Sequence, residues 1–249
     1  MEKTEKKENR FGLVGKDISY SFSQGYFSEK FDKLSLSNCS YENFDLPNIS
    51  NFKELPNQKN IKGLNVTIPY KELVIPYLDD LDQEAKTIGA VNTIKFTKNG
   101  LKGFNTDAYG FKKSITPNIR KHHKKALILG TGGASKAIAY VFDTIGIDYI
   151  YVSRNPSRTQ FNYNDLDESV CNEYKIIVNC SPVGTHPNIK EKPNIPYHLL
   201  TSNHLLFDLI YNPSKTAFLK EGEQKGATIQ NGYKMLELQA EKAWEIWNL

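Results

Sequence analysis

The sequence predicts an α/β chain in two parts, a first half of mixed strand order and a second half built as a doubly wound parallel sheet. Three observations carry this. In the second half the short apolar runs Ala126–Leu129, Tyr149–Val152, Ile176–Asn179 and Leu205–Ile210 are separated by helical or loop stretches, the pattern of parallel strands covered on both faces. A glycine turn, Gly130-Thr-Gly-Gly-Ala-Ser135, joins the first of these runs to an amphipathic segment. The first half has a different texture, with an Asn-Gly hairpin signal at Lys98-Asn99-Gly100 that asks for antiparallel pairing.

Taken in order, residues 1–10 read as a solvated polar tail, and Phe11–Gly15 as a strand followed by a Ser-rich turn from Ile18 to Ser23. A helix from about 24 to 36 carries Phe27, Phe31 and Leu34 at helical spacing. Tyr41–Leu46 and Ile61–Ile68 read as strands, and Pro69 suits the first turn of a helix running through Leu78. Ile88–Phe96 and Leu101–Asn105 form the hairpin around the Asn-Gly turn. A helix from Asp107 to about Thr116 leads into Pro117–Lys125, whose charge density is that of a linker. The last segment, Gly232–Leu249, is helical, with Leu236, Ala240, Ala243, Trp244 and Trp247 on one stripe.

Composition narrows the functional classes. A formal charge of +4 over 249 residues is too weak and dispersed to make nucleic acid the main partner. No apolar run approaches the roughly 18–20 residues of a membrane span, and MEKTEKKENR lacks the apolar stretch of a signal peptide. Three cysteines without a CxxC pair fit a reducing compartment. Five histidines make no HxxxH, so no metal site is legible. A cytoplasmic enzyme or binding protein, with no membrane or nucleic-acid partner, is the expectation.

The glycine turn is the first chemical signal. Ala134, Ile138, Val141, Phe142 and Ile145 follow it at helical spacing, and Gly146 can cap their end. Strand, glycine turn and amphipathic helix in that order make a dinucleotide-binding unit, in which backbone N–H groups at a helix start meet a pyrophosphate. The alternative is a purely structural tight turn. Where an NAD-preferring site has Asp or Glu after the second strand, this chain has Ser153-Arg154-Asn155, with Arg158 beyond. A guanidinium matches the 2′-phosphate that distinguishes NADP from NAD; the alternative is two surface arginines.

The first half holds polar clusters at predicted strand ends: Asn65-Val-Thr-Ile-Pro-Tyr-Lys71, Gly89-Ala-Val-Asn-Thr93 and Gly103-Phe-Asn-Thr-Asp107. Singly, such residues cap turns or form surface pairs. Together they suit a small, polyhydroxylated, acidic substrate that needs many donors and acceptors.

These clusters, with Ser21-Phe-Ser23, the glycine turn, Asn179-Cys-Ser-Pro-Val-Gly184, Asp208-Leu-Ile-Tyr-Asn-Pro213 and Met235-Leu-Glu-Leu-Gln239, resemble the shikimate dehydrogenase family over about residues 11 to 249. The resemblance implies that Ser21 and Ser23 bind the substrate carboxylate, and that Asn65, Thr67, Asn92 and Gln239 hydrogen-bond its hydroxyls. Lys71 and Asp107 match the family's catalytic pair, both also contacting substrate, and Tyr211 matches a tyrosine near it. Gly130, Thr131, Gly132, Gly133, Ala134, Ser153, Arg154, Asn155, Arg158 and Gly232 fall on the cofactor side. The chain differs from the family's usual pattern at Gln24, Thr131, Ser153 and Thr185-His186.

The implied architecture is a substrate domain, 11–116 with 233–249, and a Rossmann-type NADP domain, 117–232, with the C-terminal helix packing back on the former. The implied activity is reversible, NADP-linked interconversion of 3-dehydroshikimate and shikimate in aromatic amino-acid biosynthesis, by a monomer or homodimer without a metal. Two rivals are a quinate/shikimate dehydrogenase using NAD(P) and a catalytically silent NADP- or metabolite-binding module on the same fold.

Overall fold

Two sheets divide the chain, and each carries its own packing. The computed structural model describes residues 9–19 and 21–249; residues 1–8 of the expected polar tail and Tyr20 of the Ser-rich turn lie outside the described residues. Residues up to Thr106 together with Ala240–Leu249 pack as one unit, and Asp107–Gln239 as a second.

In the first unit, β1 (Asn9–Gly15), α1 (Phe22–Lys33), β2 (Cys39–Asp45), β3 (Ile61–Val66), α2 (Tyr70–Leu73), β4 (Asp80–Leu81), α3 (Gln83–Ile88), β5 (Thr93–Thr97) and β6 (Gly100–Phe104) follow in order. The sheet runs β2-β1-β3-β5-β6-β4. Strands β1, β2 and β3 are parallel, whereas β5 is antiparallel to both β3 and β6. The Asn-Gly turn makes the β5–β6 hairpin, as its signal predicts.

Local chemistry explains where these elements start and stop. Helix α1 begins two residues earlier than its apolar spacing indicates because the Ser21 side chain accepts a hydrogen bond from the Ser23 backbone N–H at 3.1 Å. It closes before Leu34, which is 51% exposed rather than part of the buried stripe. Helix α2 lasts one turn instead of reaching Leu78. Pro76 lacks a donor and disfavours helical geometry at Ile75, so the chain continues as a 3-10 turn over Ile75–Tyr77. Gly89, with φ of 69°, caps α3 and shifts the following strand to Thr93.

The second unit holds α4 (Asp107–Ile115), β7 (Lys125–Leu129), α5 (Gly133–Ile145), β8 (Asp148–Ser153), β9 (Phe161–Asn162), α6 (Glu168–Glu173), β10 (Ile176–Asn179), β11 (Leu205–Asp208), α7 (Ala217–Gln224), β12 (Thr228–Gln230) and the start of α8 (Tyr233–Asn248). Every pairing in its sheet is parallel, in the order β12-β11-β10-β7-β8-β9. Counted from β7 as the first strand this is 3-2-1-4-5-6, the dinucleotide-binding order, which reverses between β7 and β10. Phe111 of α4 packs edge-on against Phe142 and Phe207, with ring centroids 5.5 and 5.0 Å apart.

The stretch Pro117–Lys125, expected as a linker, is packed. His123 is buried, takes a hydrogen bond from the Arg120 N–H on Nδ1 at 2.9 Å, and meets the Asn203 carbonyl through Nε2 at 3.1 Å. Asn118 and Gln230 join side chains at 2.6 Å, and Gln230 donates to the Ser114 carbonyl at 3.0 Å, fastening the end of α4 to β12.

Helix α8 serves both units. Gly110 lies against the Met235 carbonyl and Gln239, and from Ala240 onward the helix belongs to the first unit. There Trp247 stacks on Phe11 at 4.9 Å and donates from Nε1 to the Ile94 carbonyl at 3.0 Å. Such an aromatic pair adds about 0.5–1.5 kcal/mol beyond area burial. The apolar stripe foreseen for the last helix is therefore the element that packs back on the first sheet.

Candidate active site

In the first unit, the polar residues at the ends of β3 and β5 form one hydrogen-bonded group. Asn65 is 5% exposed; its Oδ1 accepts from the Tyr41 hydroxyl at 2.8 Å, and its Nδ2 donates to the Asn92 carbonyl at 3.3 Å and to Thr93 Oγ1 at 3.2 Å. Asn92 Oδ1 accepts from the Thr106 N–H at 2.7 Å and from Thr93 Oγ1 at 3.1 Å, while its Nδ2 donates to Thr106 Oγ1 at 3.0 Å. Asn105 donates to the Ala90 carbonyl at 2.9 Å. Buried amides held this way keep a fixed polarity, since an unmade bond there costs about 1–3 kcal/mol.

Tyr41 is the residue that fixes Asn65. Its ring is buried and stacked on Phe27 with centroids 4.5 Å apart and 7° between planes. Burial pushes its phenol well above the ordinary tyrosine range, a shift that Ser23's side chain partly opposes by hydrogen bonding.

The remaining predicted residues of this unit sit at element ends. Thr67 follows β3, with its N–H on the Val14 carbonyl at 2.8 Å. Lys71 is half-buried in α2, and its carbonyl accepts from the Val91 N–H at 2.7 Å, which draws the α2 turn to the segment before β5 that carries Asn92. Ser21 and Ser23, at the cap and first turn of α1, are half-buried.

In the second unit the glycine turn occupies the reversal point of the sheet. Gly130 has φ of 103°, a conformation that favours glycine, and a Cβ there would sit 3.4 Å from the Ser181 nitrogen beyond β10. Gly132 is the N-cap of α5, where no side chain caps the helix and no acidic residue stands in the first turn. A Cβ built on Gly132 meets nothing within 4 Å. The turn thus presents bare backbone N–H groups and the positive end of a helix to open space, which fits a pyrophosphate. Thr131 is exposed, and Gly133 and Ala134 open α5.

Ser153 ends β8 and its Oγ accepts from the Asn155 N–H at 3.2 Å. Arg154, Asn155 and Arg158 are exposed beyond it, and the Arg154 carbonyl is held by Asn162 Nδ2 at 3.3 Å. Arg154 therefore directly follows the carboxyl end of β8, with Arg158 in the loop beyond it.

Tyr211 follows β11 and is half-buried. Gly232 precedes α8, and a Cβ there would come within 2.1 Å of the Leu209 carbonyl oxygen, so only glycine fits. Asp107, buried, opens α4, and Gln239 is half-buried on α8 beside Gly110.

Several residues of these networks escape the sequence reading. Thr93, Asn105 and Thr106 lie inside the quoted clusters, but nothing in their type marks them from neighbouring turn-formers. Tyr41 carries no local signal, since it looks like an ordinary strand residue until Asn65 is placed beside it. Among the described residues no helix is long and apolar enough to cross a membrane, and no group of three or more His, Cys, Asp or Glu side chains could hold a metal ion.

A parallel sheet in 3-2-1-4-5-6 order, with a bare glycine turn at its reversal point, places the chain among the dinucleotide-binding α/β proteins. Comparison with known proteins narrows this. The family model described as shikimate dehydrogenase substrate binding domain matches residues 13–94. The chain is 39% identical to the shikimate dehydrogenase (NADP(+)) of Clostridium botulinum, with 96% of each covered. It superposes on the crystal structure of shikimate dehydrogenase 1 from Peptoclostridium difficile with a TM-score of 0.85 at 39% identity, covering 96% of this chain and 91% of that one. For the Thermus thermophilus shikimate 5-dehydrogenase in complex with NADP(H) and shikimate, the TM-score is 0.84 at 31% identity, with 96% and 93% covered. The chain belongs to the shikimate dehydrogenase family.

Proposed function

We propose that the chain catalyses the reversible, NADP-linked reduction of 3-dehydroshikimate to shikimate. The observation that carries this is likeness to shikimate dehydrogenases along 96% of the chain; the presence of Lys71, Asp107, Asn65, Asn92 and Gln239 at the matching motif positions agrees with it. The functional division is drawn by ligand: 11–116 with 233–249 for substrate and 117–232 for NADP. The packing units divide elsewhere, between Thr106 and Asp107 and between Gln239 and Ala240.

Ser21 and Ser23 hold the substrate carboxylate. Asn65, Thr67, Asn92 and Gln239 hydrogen-bond the ring hydroxyls, and Tyr211 lies near the ring. Gly130 to Ala134 cradle the pyrophosphate, with Gly232 on the same side, and Ser153 to Asn155 with Arg158 take the adenosine ribose and its 2′-phosphate. Bound there, NADPH would supply the hydride for reduction of the C3 carbonyl. Lys71, as an ammonium, donates a proton to the carbonyl oxygen and stabilises negative charge as it develops there. Asp107, the other member of the matching pair, contacts the substrate. In the oxidative direction Lys71 takes the proton back from the C3 hydroxyl.

The direct test is shikimate-dependent formation of NADPH by the purified chain, followed by absorbance; no turnover with folded protein would overturn the reading. A finer test concerns substrate positioning. Tyr41→Phe keeps the stack on Phe27 but removes the donor to Asn65 Oδ1, a bond of about 1 kcal/mol. The KM for shikimate is expected to rise about fivefold with the KM for NADP+ unchanged; equal change in both would contradict the role given to Asn65.

A further inference from the structure

We infer that Asp208 is a positioning residue for cofactor binding: its buried carboxylate ties together the two loops that leave β10 and β11 and so holds the crevice beside Gly130 in shape. The inference rests on the reading of that crevice as the NADP site.

Asp208 is the last residue of β11 and has no exposed surface. Its Oδ1 accepts from Asn179 Nδ2 at 3.0 Å and from the Ile210 N–H at 3.1 Å, and its Oδ2 accepts from Thr216 Oγ1 at 2.6 Å. Asn179 and Thr216 are themselves fully buried. Each partner passes the constraint outward. Asn179 Oδ1 accepts from the Ser181 N–H at 3.1 Å and from Ser181 Oγ at 2.6 Å, fixing the loop whose backbone abuts Gly130. Thr216 is the N-cap of α7, with its Oγ1 on the Leu219 N–H at 3.3 Å. The Ile210 bond sets the start of the loop that carries Tyr211 and abuts Gly232, whose N–H donates to the Ile210 carbonyl at 3.1 Å.

The chemistry argues for position rather than stability. All three partners of the carboxylate are neutral donors, and burial pushes its pKa up to about 6. A buried anion without a cation is costly, and three directed hydrogen bonds are what this one makes in return. What apolar residues cannot do is hold three separate backbone segments in register by directed bonds. In open parallel sheets ligands bind outside the carboxyl ends of the strands at the reversal point, and Asp208 sets the loops at that edge.

Two variants of the full-length chain test this. Asp208→Asn keeps the shape but turns a donor toward Thr216, and Thr216→Val removes the hydroxyl. Calorimetric titration with NADP+ is expected to show binding weakened about tenfold in D208N and about threefold in T216V, with the KM for shikimate within twofold of wild type. A melting temperature that falls while NADP+ affinity stays within twofold in both variants means a merely structural role and overturns the inference. If D208N does not fold, T216V decides by the same criterion. A wild-type chain that binds no NADP+ overturns this inference together with the cofactor reading, whereas a binding wild type matched by both variants overturns this inference alone.

Discussion

Lys71→Ala is expected to lower kcat about a thousandfold while the KM for shikimate changes by no more than about threefold. A positioned general acid contributes roughly 10²–10⁴ in rate, and a thousandfold is about 4 kcal/mol of transition-state stabilisation. Lys71 is asked for two things at the same oxygen, a proton and a positive charge, so the loss belongs in the middle of that range. On the proposed assignment binding persists, because Ser21, Ser23, Asn65 and Asn92 lie on or beside other elements, α1, β3 and β5. Lys71→Arg separates the two contributions. A guanidinium keeps the charge yet does not release a proton at neutral pH, so this variant stays slow despite its charge. Steady-state kinetics in both directions checks the result, and near-wild-type kcat in Lys71→Ala would remove the residue from the mechanism.

Arg154→Ala should raise the KM for NADP+ about thirtyfold and that for NAD+ less than twofold. The two cofactors differ only in the 2′-phosphate, so a selective effect isolates that contact. Hydrogen bonds to charged groups contribute about 1.5–3 kcal/mol; because Arg154 is exposed, screening by salt keeps the effect toward the lower end. The ratio of the two KM values should therefore narrow as ionic strength rises in the wild type, and barely move in the variant. Equal loss with both cofactors would mean that Arg154 supports the fold of the β8 end and not the phosphate.

Legibility in the sequence followed the physics of each segment. The parallel strands β7, β8, β10 and β11 were readable because strands covered on both faces are short unbroken apolar runs. The glycine turn was readable because it stands between a short apolar run and an amphipathic helical one. Two-residue strands such as β4 and β9 leave no periodicity to read. Gly89 misled for a specific reason: Ile88 to Ile94 alternates well enough for a strand, yet Gly89 caps a helix and the buried side chain of Asn92 takes hydrogen bonds from the chain near Thr106. Pro117–Lys125 misled in the opposite sense, since its charges face solvent while His123 alone turns inward. In the hydrogen-bonded group, Asn65 and Asn92 stand in motifs the sequence singled out, whereas Tyr41, which acts on Asn65 from another strand, does not. Such partners exist only once the sheet order is known.

The central claim is that this chain is an NADP-linked dehydrogenase of shikimate, and one comparison tests it most directly. The initial rate of nicotinamide reduction is measured with NADP+ and NAD+, each offered shikimate and quinate. The account predicts that kcat/KM is highest for NADP+ with shikimate, at least tenfold above NAD+ with shikimate, with quinate poor under either cofactor. Rates that favour NAD+, or that treat quinate and shikimate alike, would contradict it.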